Sequence, residues 1–206
     1  MVKLLSIWLV SFICLTTFFI LPAHSQEPRN ILSIEAYDML NSLPGTYLID
    51  VRTRAEYQFT GHPEAAHLFP YFFFSGKLEK NKDGWEYQFS DKNKSFLKEI
   101  SEKFQKDNNL LIISRDGTRS MLAAKELVRN GFIHIYNIKD GFEGASFPCF
   151  EDEIKHKFYR QLAKRNKIST LNHRHFYGWQ WWGLPWTYEI DIKYIYPPDK
   201  SINEDK

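Results

Sequence analysis

The sequence predicts an α/β fold: a parallel sheet of about five strands with helices on both faces, plus an aromatic-rich C-terminal extension. Three observations predict it. Short apolar, β-favouring runs alternate with helix-period runs from about Arg29 to Phe147. The most apolar run, Asn109–Ile113, suits a strand wrapped on both faces. After Phe147 the composition changes: no acid occurs from Ile154 to Tyr188, and Trp179, Trp181, Trp182 and Trp186 cluster there.

The elements follow in chain order. Ile31–Ser33 is short and apolar, and Ser33 is placed to cap a helix from Ile34 to Leu43, ended by Gly45. Thr46–Val51 reads as a buried strand through Tyr47-Leu48-Ile49. Arg54–Phe59 is a short helix stopped at Gly61, and Ala65–Phe69 a second strand. Tyr71–Asn93 breaks the rhythm as an excursion, with a hairpin expected across Lys82-Asp83-Gly84. Lys94–Lys106 returns to helix, with Phe96, Ile100 and Phe104 on one buried stripe. Asn109–Ile113 is the central strand, Ser114–Arg119 a polar loop, Ser120–Asn130 a helix stopped by Gly131, and Phe132–Ile138 the last strand.

The ends read differently. Lys3 is the only charge before Glu27, an apolar run covers Leu4 to Leu21, and Ala23 and Ser25 are small residues before a cut at Gln26. This is the signal-peptide pattern, so residues 1–25 are expected to direct export to a periplasmic or secreted location. The alternative is an N-terminal membrane anchor, at the short limit for a bilayer span. Residues 29–147 form the expected domain, 148–196 an aromatic and basic extension packed on it, and 197–206 a disordered tail.

Composition narrows the function classes. The chain has 206 residues, 27 Lys+Arg against 25 Asp+Glu, and 17% aromatics. That is too aromatic and too weakly charged for global disorder. A formal net charge of +2 gives no reason to expect nucleic acid. The 2 cysteines, Cys14 and Cys149, cannot make a disulfide scaffold or a Cys-rich zinc module, and only Cys149 would survive export. No metal and no cofactor is expected. His173-Arg174-His175 offers imidazoles without a third ligand at motif spacing, and a solvated loop explains it better.

Chemistry points to Leu110–Ser120, a buried strand, a tight loop and a helix start. In such a unit the loop amides of Asp116, Gly117, Thr118, Arg119 and Ser120 converge outside the carboxyl end of the strand. The helix N-terminus adds unpaired N–H groups and the positive end of its dipole. Arg115 and Arg119 add full charges. The loop is built like a cradle for a small oxyanion such as sulfate, thiosulfate or phosphate. An ordinary strand–helix turn is the plainer reading of the same geometry.

The surrounding residues carry a resemblance. Asp50-Val51-Arg52, Glu56-Tyr57 and Gly61-His62-Pro63-Glu64-Ala65-Ala66 resemble the D-x-R-x-x-x-E-[FY]-x-x-G-H-I-x-G-A signature of the rhodanese family. Ser114-Arg115-Asp116-Gly117-Thr118-Arg119-Ser120 looks like its active-site loop, usually C-R-x-G-x-R-S. Ile138–Gly144 is similar to its closing L-x-G-G motif. The resemblance implies a rhodanese-like α/β domain, with Asp50, Arg52, Glu56 and His62 as structural anchors and a sulfur-carrying cysteine at the first loop position. Here that position is Ser114. A thiol ionises near pH ~8.5, and cradle dipoles lower that further. A serine hydroxyl has no comparable anion, and the loop offers it no obvious base. Oxygen also cannot play the persulfide part. The expectation is therefore a rhodanese-like protein without persulfide transfer, acting as an oxyanion-binding or interaction module. The alternative is a sulfurtransferase or hydrolase using Ser114 or Cys149.

Two aromatic surpluses remain. Phe69–Phe89 would lie near the cradle mouth, either shaping a pocket or covering a sheet edge. The basic aromatic segment 154–188 either seals the core through Gly183-Leu184-Pro185-Trp186 or meets a protein partner or a membrane surface.

Overall fold

The computed structural model describes residues 27–81, 84–88, 91–146, 152–167 and 175–196. The expected signal segment, Cys149, His173, Arg174 and the tail from Pro197 lie outside the described residues.

A 5-stranded, all-parallel sheet forms the centre. Its strands are β1 (Arg29–Ile31), β2 (Thr46–Asp50), β3 (His67–Leu68), β4 (Asn109–Ile113) and β5 (His134–Ile138). The spatial order is β1-β5-β4-β2-β3. β4 sits in the middle, in register with β2 from Thr46↔Asn109 to Asp50↔Ile113 and with β5 from His134↔Asn109. Alternation along β4 divides the core. Leu110 and Ile112 face one side, with Ile49, Val51 and Ile135; Leu111 and Ile113 face the other, with Leu48 and Ile138. Each such buried side chain stabilises the fold by about 1.5–3 kcal/mol relative to exposure.

Helices cover both faces. α1 (Ser33–Ser42) and α2 (Arg54–Phe59) place Ala36 and Tyr57 against one face. α3 (Phe96–Lys103) and α4 (Thr118–Arg129) place Phe96, Ile100, Ala123, Ala124 and Leu127 against the other. The expected Phe96–Ile100–Phe104 stripe is buried.

Several boundaries move for local reasons. Ser33 does not cap α1: it is the first helical residue, and its hydroxyl reaches Asp140 Oδ1 (2.9 Å) and the Gly141 carbonyl (3.0 Å). The N–H of Leu32, the capping position, donates to Glu35 Oε2 instead (2.6 Å). α4 starts at Thr118, not Ser120, because Asp116 Oδ1 accepts the Thr118 N–H (3.1 Å). β3 is shorter than Ala65–Phe69 because Ala65 turns the chain with φ 58°. Phe132 is buried in the core before the ladder of β5 begins at His134.

The 72–92 excursion is an interrupted antiparallel ribbon. Phe72–Phe73 pairs with Asp91–Lys92, and Leu78–Asn81 with Gly84–Tyr87. Between them Ser75 N–H donates to Gln88 O (3.0 Å) and Gln88 N–H to Lys77 O (2.9 Å). Its base is fixed to α4 through Glu126, which accepts from Tyr71 Oη (2.8 Å) and Lys92 Nζ (2.5 Å).

The extension divides into unlike parts. Trp179 and Leu184 are buried in the sheet's second core cluster, and Trp179 Nε1 donates to Pro185 O (2.9 Å). Trp186–Thr187 adds an antiparallel strand to His62–Pro63. Helix α5 (Glu153–Arg165) contrasts with these: Ala163 is its buried residue, and its Ile154 and Phe158 stand in solvent.

Candidate functional site

The site forms where β2 and β4 end side by side. Asp50 and Arg52, at and just past the end of β2, are both fully buried and paired. Arg52 donates from Nε to Asp50 Oδ1 (3.0 Å) and from Nη2 to Asp50 Oδ2 (2.7 Å). Its remaining donors reach Gly61 O (2.8 Å) and Thr60 Oγ1 (2.8 Å), and its plane lies 4.2 Å from the Phe142 ring centroid. One guanidinium thus ties the end of β2 to the Thr60–Gly61 turn and to the closing motif at Phe142. A planar, always-charged fork suits this task where an ammonium would not.

Glu56 has two tasks. It completes a capping box on α2, accepting from Thr53 N–H (3.0 Å) while Thr53 Oγ1 accepts from the Glu56 N–H (3.2 Å). Its carboxylate also holds Arg119 through both oxygens, one bond being Arg119 Nη1 to Oε2 at 2.9 Å and the other running from Nη2 to Oε1. Burial alone would raise the Glu56 pKa, but the Arg119 hydrogen bonds and charge and the Thr53 N–H outweigh it and hold the carboxyl below its usual range.

The loop Ser114–Gly117 is locked by the turn after β5. Phe142 N–H donates to Ser114 O (2.8 Å) and Glu143 N–H to Arg115 O (2.9 Å). This fit needs glycine at both contacts. Gly117, at φ 86°, would place a Cβ 2.2 Å from Lys139 O, and Gly141, at φ 65°, would place one 2.5 Å from Arg115 O.

Ser114 has no solvent exposure, and its Oγ meets Ser120 Oγ at 3.1 Å. Among the described residues no imidazole or carboxylate bonds to it. The backbone N–H groups of Asp116, Gly117 and Ser120 have no protein acceptor among the described residues. Asp116 is held ionised: burial opposes this, but the Thr118 N–H and the Arg115 charge prevail and keep its carboxyl below the usual range.

A depression of about 250 Å³ opens beside the loop, lined by Arg115, Asp116, Thr118 and Arg119 and, from the ribbon, by Phe72, Tyr87 and Gln88. The excursion therefore walls a pocket at the cradle. Arg119, expected to offer its charge to an anion, lines the depression with its guanidinium committed to Glu56. Thr118, expected as an amide donor, has already given its N–H to Asp116. Arg115 is the half-exposed cation, 3.3 Å from Asp116 Oδ2.

His62 lies apart from this depression. Its ring stacks on Tyr57 at 3.5 Å, its Nδ1 faces Pro63 O (3.1 Å), and it lines a separate pocket with Glu64, Thr187 and Glu189. Burial pulls its pKa below the usual value. Among the described residues no group of His, Cys, Asp and Glu is arranged to hold a metal; His175 Nδ1 instead sits 3.7 Å from Glu143 Oε2.

Asp140 lies inside the closing motif Ile138–Gly144, where the sequence assigns it no role of its own. It is buried and accepts from Ser33 N–H (2.8 Å), Gly178 N–H (3.2 Å) and Trp182 Nε1 (3.0 Å). It joins α1, the closing turn and the extension. Its only sequence signal is its place just before Gly141.

A central five-stranded parallel sheet, helices on both faces and a depression beside the loop that follows β4 define a single α/β domain. The Rhodanese-like domain profile matches residues 33–146, and the chain belongs to the rhodanese-like family. It is 40% identical over 116 residues to the uncharacterized RP600 homolog of Rickettsia rickettsii, covering 56% of this chain and 85% of that one. It is 29% identical over 118 residues to thiosulfate sulfurtransferase 16, chloroplastic, of Arabidopsis thaliana, covering 57% and 87%. The crystal structure of Rv0390 from M. tuberculosis superposes with a TM-score of 0.54 at 25% identity, over 80% of this chain and 100% of that one.

Proposed function

We propose that the protein is an exported rhodanese-like binding module that does not transfer sulfur and takes a small oxyanion at its Ser114–Ser120 loop. The observation that carries this reading is Ser114 itself. It stands where the family's sulfur-carrying cysteine is expected, is fully buried, and has another hydroxyl as its side-chain partner. Two hydroxyls 3.1 Å apart supply neither a thiolate nor a base that would make an alkoxide. The cradle around them remains assembled. The unpaired amides of Asp116, Gly117 and Ser120 and the Arg115 guanidinium support anion binding, while the Asp116 carboxylate limits it. The affinity expected of such a balanced site is in the millimolar range, about −4 kcal/mol. The N-terminal apolar run ending in Ala23-His24-Ser25 supports export.

The test is a titration with sodium thiosulfate and with sodium sulfate, followed by amide shifts. Saturable shifts at Asp116–Ser120, weakened by Arg115→Ala, are expected. Shifts confined to other residues, or none, overturn the binding reading. Thiosulfate:cyanide transfer lost in Ser114→Ala would overturn the loss of catalysis, and transfer lost in Cys149→Ala would assign it to the displaced thiol.

A further inference from the structure

The basic, aromatic segment 154–188 is not one surface. Trp179 and Leu184 have gone into the core, and α5 has not. We propose that α5 is a docking face for an anionic lipid surface.

Residues four apart stack along one side of a helix, so Ile154, Phe158 and Leu162 form a continuous apolar stripe. Most of the stripe is left outside the fold: Ile154 is 81% exposed and Phe158 56%, while Leu162 at its C-terminal end is half-buried. The buried residue of α5, Ala163, lies on another side of the helix. Leaving Ile and Phe in water forfeits stabilisation that burial would supply, and such a stripe marks an interaction face.

Charge decides the occupant. Lys155 borders the stripe on one side, and Lys157 and Lys164 border it on the other. Arg160 and Arg165 complete the basic set, and Glu153 at the N-terminal end is the helix's acid. Among the described residues none of these cations pairs with a carboxylate. A protein core would not accept so many uncompensated cations around an apolar line. An anionic headgroup layer does: the stripe enters the acyl boundary, and the lysine stems reach back to the phosphates. Both readings of the Leu4–Leu21 run, export signal and anchor, bring the chain to a membrane.

The experiment uses the full chain and unilamellar vesicles, either of phosphatidylcholine alone or with about 30% phosphatidylglycerol, at low and high salt. The Leu4–Leu21 run contributes equally to every variant, so the readout is the preference for anionic over neutral vesicles. Wild type is expected to prefer anionic vesicles by about tenfold or more, and to lose most of this at about 0.5 M salt. The preference should collapse both in Lys155→Glu/Lys157→Glu/Lys164→Glu and in Ile154→Ser/Phe158→Ser. These side chains are exposed, so circular dichroism and the thermal transition should not move. Full anionic preference in either variant overturns the proposal, as does a wild type with no preference. A concentration-dependent dimer abolished by Ile154→Ser/Phe158→Ser would assign the face to a second copy and also overturn it.

Discussion

Replacing Asp50 with alanine leaves the Arg52 guanidinium buried without its counter-ion. In the wild type both side chains are fully buried and joined at 2.7 Å. Removing one partner of such a pair costs about 3–5 kcal/mol, because the remaining charge cannot reach water. Arg52 retains Gly61 O, Thr60 Oγ1 and the Phe142 ring, which places the expected cost nearer 3 than 5 kcal/mol on that scale. For a domain of this size each kcal/mol lowers Tm by about 2–4 °C, so a fall of roughly 6–12 °C is expected. Urea unfolding of Asp50→Ala, Arg52→Leu and Asp50→Leu/Arg52→Leu measures the pair directly. The double variant, which removes both charges, should be clearly more stable than the sum of the single losses predicts. A single-variant cost below about 1 kcal/mol, or strict additivity in the cycle, would refute the reasoning.

Other consequences follow from the same geometry. Gly117→Ala should destabilise the domain by about 2 kcal/mol or more, since its Cβ would stand 2.2 Å from Lys139 O at a positive φ; an unchanged unfolding midpoint would contradict the interlocked turns. His67 is pulled down to about 4 by burial, with a smaller contribution from Lys103. The unfolded chain therefore binds a proton that the native state refuses between pH about 6.5 and about 4, so stability falls as pH drops through that window, by ~1–2 kcal/mol after solvent screening. His67→Phe should flatten that part of the pH–stability curve, and imidazole protonation seen by NMR near pH ~6.5 would contradict it. Ser114→Cys should introduce a thiol that reacts slowly with bulky reagents and confers measurable thiosulfate:cyanide transfer; a silent, folded Ser114→Cys would show that more than the nucleophile is missing.

Much of the fold is legible in the sequence. Arg54–Phe59 and Asn109–Ile113 fall where sequence reading places them, because a glycine stop at Gly61 and an unbroken apolar run are local signals. What sequence reading misses is non-local. Ser33 looks like a cap, but its hydroxyl is claimed by Asp140, which follows the neighbouring strand and lies 107 residues away in sequence. Arg119 looks like a free cation, but Glu56 takes it across 63 residues. Ile154, Phe158 and Leu162 have the spacing of a core stripe, and only the exposure of Ile154 and Phe158 separates a docking face from packing. For the ribbon, sequence leaves pocket wall and sheet-edge cover as alternatives, since Phe72 and Tyr87 meet the loop only through the fold.

The claim that Ser114 ends sulfur transfer is tested most directly by single-turnover loading of the purified wild-type protein with thiosulfate, read by intact mass. No sulfur should be added to the folded chain, and cyanide-dependent thiocyanate release should stay at the level of Ser114→Ala. A sulfur adduct that cyanide removes from wild type, and that is absent from Ser114→Ala, would contradict it.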